Sequence, residues 1–159
     1  MQLQKRFSGA WIAVAAVLLD RLSKACITAL EAGTLVEVIP GVLRFRCTAN
    51  TGIAFSLLSG STLFVTVLTL ALLVGLTAWM VVRPSQLGRG LRAGFWMIIG
   101  GGLGNLYDRI AYGAVIDFIE LEFVQFAIFN VADIFICAGT ALAVIFLLKE
   151  EKAHGSKTA

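Results

Sequence analysis

Histidine is nearly absent. The one residue, His154, lies in a polar tail, which removes Ser-His-Asp and Cys-His mechanisms and leaves no imidazole cluster for a metal. Cysteine is scarce too. Cys26, Cys47 and Cys137 are odd in number and far apart, so no disulfide framework follows, and each reads as a small buried hydrophobe. Charge is thin: 14% of residues are charged and 58% are hydrophobic, with a mean hydropathy of +0.89. A soluble chain of 159 residues with that balance would expose large apolar patches and aggregate. Lipid is therefore the expected solvent. The net charge of +3 matters less than its distribution, and no nucleic-acid partner is expected. A dinucleotide loop is excluded as well: Gly102-Leu103-Gly104 is followed by Asn105-Leu106-Tyr107, without a third glycine or a preceding strand. No cofactor, no metal and no fixed-period repeat is expected.

What is present is long apolar runs. The length suits a single integral membrane domain, 1–159. Lys5 and Arg6 precede an apolar run at 9–19 that begins like a signal peptide, and Leu22-Ser23-Lys24-Ala25-Cys26 mimics a lipid-attachment box. Asp20, Arg21 and Lys24 inside the segment, and the apolar chain beyond it, argue instead for a retained helix. Spanning helices are expected at about 10–30, 61–82, 91–112 and 131–148. Pro84 and the polar Gly88-Arg89-Gly90 stretch stop the second, and Lys149-Glu150-Glu151-Lys152 ends the fourth. Lys5, Arg6, Arg83, Arg89, Arg92, Lys149, Lys152 and Lys157 all flank one side of four such spans, so both termini are expected to be cytoplasmic.

The two segments on the other side are 31–60 and 113–130. In the first, Ile39-Pro40-Gly41-Val42 suits a tight turn, and Val36, Val38, Leu43, Phe45 and Cys47 on its flanks suggest a hairpin, with Arg44 and Arg46 facing lipid phosphates. In the second, Ile119, Leu121 and Phe123 alternate with Glu120 and Glu122, which fits a strand or an interfacial segment; both stay open. The expected fold class is an all-α membrane protein of four transmembrane helices with a small non-cytoplasmic β-hairpin or sheet platform.

Ionisable groups are costly at membrane depth, so the acids beside apolar segments are functional candidates. Asp133 interrupts an uncharged run, and Asp117 lies beyond the third helix on the same membrane face. Two acids brought together cannot both ionise easily, which keeps one as an acid and leaves one as a base for water-mediated hydrolysis. A first-turn aspartate favoured by the helix dipole, a proton or ion relay through Asp20, Asp117 and Asp133, and a non-catalytic assembly subunit are the alternatives. Asp20 and Lys24 are spaced i, i+4 and can pair on one face. Gly100 and Gly104 have the small-xxx-small spacing of close helix packing. Asp108 and Arg109 end the third helix, where Arg109 either snorkels outward or turns inward onto a carboxylate or carbonyl. Asn50, Asn105 and Asn130 each fall near the same face.

Five ordered motifs then stand out: Asp20-Arg21-Leu22-Ser23-Lys24, Asn50-Thr51-Gly52-Ile53-Ala54-Phe55, Gly101-Gly102-Leu103-Gly104-Asn105-Leu106-Tyr107-Asp108-Arg109, Val115-Ile116-Asp117-Phe118-Ile119 and Phe129-Asn130-Val131-Ala132-Asp133. Their order and spacing resemble the bacterial lipoprotein signal peptidases, signal peptidase II. The resemblance implies an aspartic endopeptidase of the bacterial inner membrane that cuts lipidated prolipoproteins before the diacylglyceryl-modified cysteine, with its site at the outer leaflet. It implies Asp117 and Asp133 as the catalytic pair, and Asn50 and Gly52 on a loop closing over substrate. Asn105, Arg109 and Asn130 would line the site, with Asp20 and Lys24 as a supporting pair. Membrane lipids and globomycin-type inhibitors are the other implied partners, and a monomer is the expected state. Ile53, Ile116 and Ile134 depart from the residues usual at those positions, which touches packing beside the site and leaves both acids in place.

Overall fold

The computed structural model describes residues 7–30, 34–52, 61–83 and 87–155, the last six of these as backbone only. Lys5, Arg6, Pro84 and Lys157 of the flank reading lie outside them, as does 53–60, including Ile53. Four helices are formed: α1 (Ala10–Thr28), α2 (Thr62–Val82), α3 (Arg89–Tyr112) and α4 (Val131–Gly155). Three strands are formed: β1 (Leu35–Ile39), β2 (Leu43–Asn50) and β3 (Val115–Leu121).

Helices α1 and α3 turn charged and amide side chains inward, among them Asp20, Lys24, Asn105 and Asp108, while α2 buries Val65, Leu73 and Met80. On α1 the buried stripe is Ala13, Ala16, Asp20, Lys24 and Ile27, at spacings of three and four that keep one face inward. Its outer face carries Trp11, Val14, Leu18 and Leu22, all exposed. A water-soluble helix has the opposite arrangement, so this polarity fits a lipid surround. By length and composition α2 and the 131–149 part of α4 are apolar enough to cross a membrane. In α1 and α3 the apolar runs are interrupted by Asp20, Arg21, Lys24, Asp108 and Arg109. One expectation is overturned. Cys26, Cys47 and Cys137 are exposed rather than buried; Cys26 lies off the inward stripe of α1, and Cys137 opens onto the cavity lined by Asp117 and Asp133.

Helix α3 is central: it packs against α1, α2, α4 and β3. Glycine makes that closeness possible. A Cβ at Gly100 would lie 2.7 Å from Ala13 of α1, and one at Gly94 would lie 2.7 Å from the Gly139 carbonyl of α4. The small-residue spacing seen in the sequence is thus used for packing.

The sheet is antiparallel in the order β1-β2-β3. The β1–β2 turn closes with Val42 N–H donating to the Ile39 carbonyl at 2.9 Å, and Gly41 takes a φ of 71°, as a Pro-Gly turn requires. Within 113–130 the open choice resolves as a strand over Val115–Leu121 alone: β3 pairs with β2, placing Asp117 opposite Thr48. Arg44 and Arg46, expected to face lipid phosphates, have carboxylate partners within the protein. Arg44 pairs with Glu120 at 2.7 Å and Glu122 at 2.9 Å, and Arg46 pairs with Glu120 at 3.0 Å. Cross-strand register explains the difference, since Arg44 lies directly opposite Glu120.

Candidate active site

Asp117 projects from the middle of β3 and is only 3% exposed. Its two oxygens are held by neutral amides: Asn50 Nδ2 donates to Oδ2 at 2.8 Å and Asn130 Nδ2 donates to Oδ1 at 2.6 Å. Burial pushes the Asp117 carboxyl up to about 6; the Asn50 amide opposes the rise, the charge on Asp133 adds to it, and Asn130 opposes it again.

Asp133 occupies the first turn of α4. Its N–H donates to Asn130 Oδ1 at 3.0 Å while its Oδ2 accepts the Asn130 N–H at 3.1 Å. This is a reciprocal cap with asparagine and aspartate in the two roles. The capping reading is therefore true of one oxygen. The other, Oδ1, accepts from Asn105 Nδ2 at 2.7 Å. Asn105 is in turn fixed by donors on its own oxygen, Lys24 Nζ at 3.2 Å and Asn130 Nδ2 at 3.1 Å. Asn130, fully buried, thus touches Asp117 with its side chain and Asp133 with its backbone.

Both acids line one cavity of ≈ 640 Å³, together with Asn50, Asn105 and Arg109. Its remaining wall is mainly apolar, with Val65 from α2, Phe126 and Phe129 from the segment after β3, and Ile134 and Ile136 from α4, beside Thr69 of α2. Arg109 turns inward and donates to the Gly52 carbonyl at 3.0 Å, while the Gly52 N–H donates to Asn50 Oδ1 at 3.0 Å. Gly52 thus fixes the orientation of Asn50, which in turn holds Asp117.

Asp20 and Lys24 stand behind this site. They form the expected pair at 3.0 Å, and Lys24 reaches the site through Asn105. Asp108 and Arg21 carry more than the sequence reading assigned them. Asp108 is fully buried and binds Lys24 at 2.7 Å and Arg21 at 2.6 Å. The available signal was spacing, since Asp108 follows Asn105 by three on one helix face. Among the described residues no group of His, Cys, Asp and Glu is placed to hold a metal ion.

Residues 12–149 match the family model for signal peptidase (SPase) II. A lipoprotein signal peptidase of Thermosynechococcus vestitus is 40% identical over 133 residues, covering 81% of this chain and 84% of the relative. One from Gloeobacter violaceus is 38% identical over 143 residues, covering 89% and 82%. A solved structure of a bacterial membrane enzyme superposes with a TM-score of 0.82 at 32% identity, covering 91% of this chain and 89% of that one. A match over most of the chain, with the same fold, means that this chain belongs to the signal peptidase II family, the lipoprotein signal peptidases.

Proposed function

We propose that Asp117 and Asp133 are the catalytic pair of this enzyme, sharing one proton in a cavity open to a lipid-anchored peptide. Membership of the family makes the chain a membrane-bound aspartic endopeptidase that removes the signal peptide from prolipoproteins. The observation that carries the assignment is the shared cavity, in which both carboxyls are joined through Asn130. One ionised carboxylate takes a proton from water as the water oxygen bonds to the scissile carbonyl carbon. The other, protonated, gives its proton to the carbonyl oxygen. As the tetrahedral intermediate collapses, the C–N bond breaks, the nitrogen leaves with the proton taken from water, and one hydroxyl of the intermediate returns its proton to the other carboxylate. Because the two groups titrate together, the shared proton belongs to the pair rather than to one residue.

The apolar wall suits a signal-peptide segment within lipid, and the polar end suits a cut before a diacylglyceryl-modified cysteine at the outer headgroups. On this reading all four helices span the bacterial plasma membrane as one domain, with both termini cytoplasmic and the sheet at the outer leaflet. Asn50, Gly52, Asn105, Arg109 and Asn130 shape the site, globomycin-type cyclic peptides occupy it, and a monomer encloses it. A proton relay through Asp20 is disfavoured, since Asp20 is locked to Lys24 and Arg21. The test is cleavage of a diacylglyceryl-modified prolipoprotein in detergent. Either Asp117→Asn or Asp133→Asn should abolish release of the signal peptide, and persistent cleavage in both would sink the assignment.

A further inference from the structure

Asp20 and Asp108 share an unusual attachment. Asp108 Oδ2 accepts the N–H of Ile116 at 3.2 Å, and Ile116 is the residue before Asp117. Asp20 Oδ1 accepts the N–H of Ala132 at 3.1 Å, and Ala132 is the residue before Asp133. The two carboxylates are themselves tied together. Lys24 Nζ lies 2.7 Å from Asp108 Oδ2 and 3.0 Å from Asp20 Oδ1, and Arg21 lies 2.6 Å from Asp108 and 2.7 Å from Asp20.

We propose that Asp20, Arg21, Lys24 and Asp108 form a positioning clamp, each carboxylate gripping the backbone one residue upstream of a catalytic aspartate, so that the cluster sets the separation of the two catalytic carboxyls. Stability does not account for such a cluster. Buried ion pairs roughly break even against apolar packing, and every charge at membrane depth carries a cost. Geometry does account for it, because charge-assisted hydrogen bonds are short and directional. The rest of the chain makes room for it: a Cβ at Gly104 would lie 2.6 Å from Asp20 Oδ2. Arg21 is seated on its other side by the ring of Tyr107, 4.8 Å from its centroid. The segment joining β3 and α4, 122–130, has no strand or helix of its own and meets β3 through one backbone bridge, Phe129 to Ile119, so the clamp adds a further tie between the two elements, from the side of α1 and α3. Lys24 adds a third link by orienting Asn105, whose amide then donates to Asp133.

The clamp rests on the reading that Asp117 and Asp133 are the catalytic pair, and the test separates the two ideas. Asp108→Asn and Asp20→Asn each keep an oxygen acceptor for the backbone N–H while removing the charge that ties it to the cations. With a diacylglyceryl-modified prolipoprotein in detergent, each should lower kcat roughly 10–100-fold while KM stays within about threefold, the mark of misplaced reacting groups in an otherwise intact site. A statine-type peptide that mimics the tetrahedral intermediate should lose affinity by a similar factor, while an uncleavable peptide of ordinary geometry should not. The double variant should be little worse than the worse single, because loosening either arm already frees the spacing. If Asp20→Asn fails to fold, Asp108→Asn and Arg21→Lys decide. A folded Asp108→Asn enzyme with unchanged kcat overturns the clamp, as does a loss explained by a smaller folded fraction. Should Asp117→Asn and Asp133→Asn both still cleave, the catalytic reading itself falls; if they are inactive while the clamp variants behave as wild type, the clamp alone falls.

Discussion

Two pairs of acids lie side by side in this protein and are treated in opposite ways. Asp20 and Asp108 are held by cations, Lys24 and Arg21, and both are completely buried. Asp117 and Asp133 are held by the amides of Asn50, Asn105 and Asn130, and among the described residues neither forms an ion pair. The difference is one of chemistry. A carboxylate beside a cation is held in place by charge, whereas one held by neutral donors at reduced solvation, as Asp117 is, keeps a proton within reach. A hydrolytic site needs the second kind. A rigid frame among buried side chains, where an unpaired charge is expensive, is built from the first.

The largest test of this contrast is at the amide-held pair. Asp117→Asn or Asp133→Asn should cut the turnover of prolipoprotein by about 10²–10⁴-fold, the usual worth of a general acid or base, as read by release of signal peptide. Next comes the cation-held pair. Lys24→Met leaves Asp20 and Asp108 with Arg21 alone, and should cost about 3–5 kcal/mol of stability in denaturation. A shift of similar kind but smaller size follows from Asp117. Its carboxyl binds a proton more tightly folded than unfolded, rising from 3.8 to about 6. The stability it contributes is fully present below 3.8 and is lost as pH rises through about 6, at most about 3 kcal/mol in total. Melting curves across that window should therefore decline for the wild type, and Asp117→Asn should flatten this part of the slope. Gly104→Ala pushes a methyl against Asp20 and should destabilise by about 1–3 kcal/mol. The smallest effect belongs to the solvent-side ions: Glu122→Gln removes one of Arg44's two partners and should leave the melting temperature nearly unchanged.

Much of the site was legible in the chain because membrane depth makes polar residues conspicuous. Asp117, Asp133, Asn50, Asn105, Asn130 and Arg109 each interrupt or end an apolar stretch, and they meet around one cavity or its immediate hydrogen bonds. Asp108 was harder to see. It sits beside Arg109 at a helix end, where a charged pair is ordinary, and only its burial against α1 marks it out. The cysteines misled for a related reason: in lipid an apolar residue is as comfortable outside as inside, so hydrophobicity alone does not say which way it faces. The alternation in 115–123 allowed a strand, but its partner β2 lies some seventy residues earlier in the chain, and no local pattern reports that pairing.

The sequence by itself determined the apolar surround, the four helices, the turn at Pro40-Gly41 and which acids interrupt or flank apolar stretches, because hydrophobic periodicity, Pro-Gly geometry and the cost of charge among apolar residues are local properties. The tertiary structure alone decided which carboxylates meet cations and which meet neutral amides. That choice depends on whether a cation or an amide arrives from another element, and the arrivals span gaps such as Arg21 to Asp108 and Asn50 to Asp117. The strength of an electrostatic contact depends on distance and burial, and both are set only once the helices have packed.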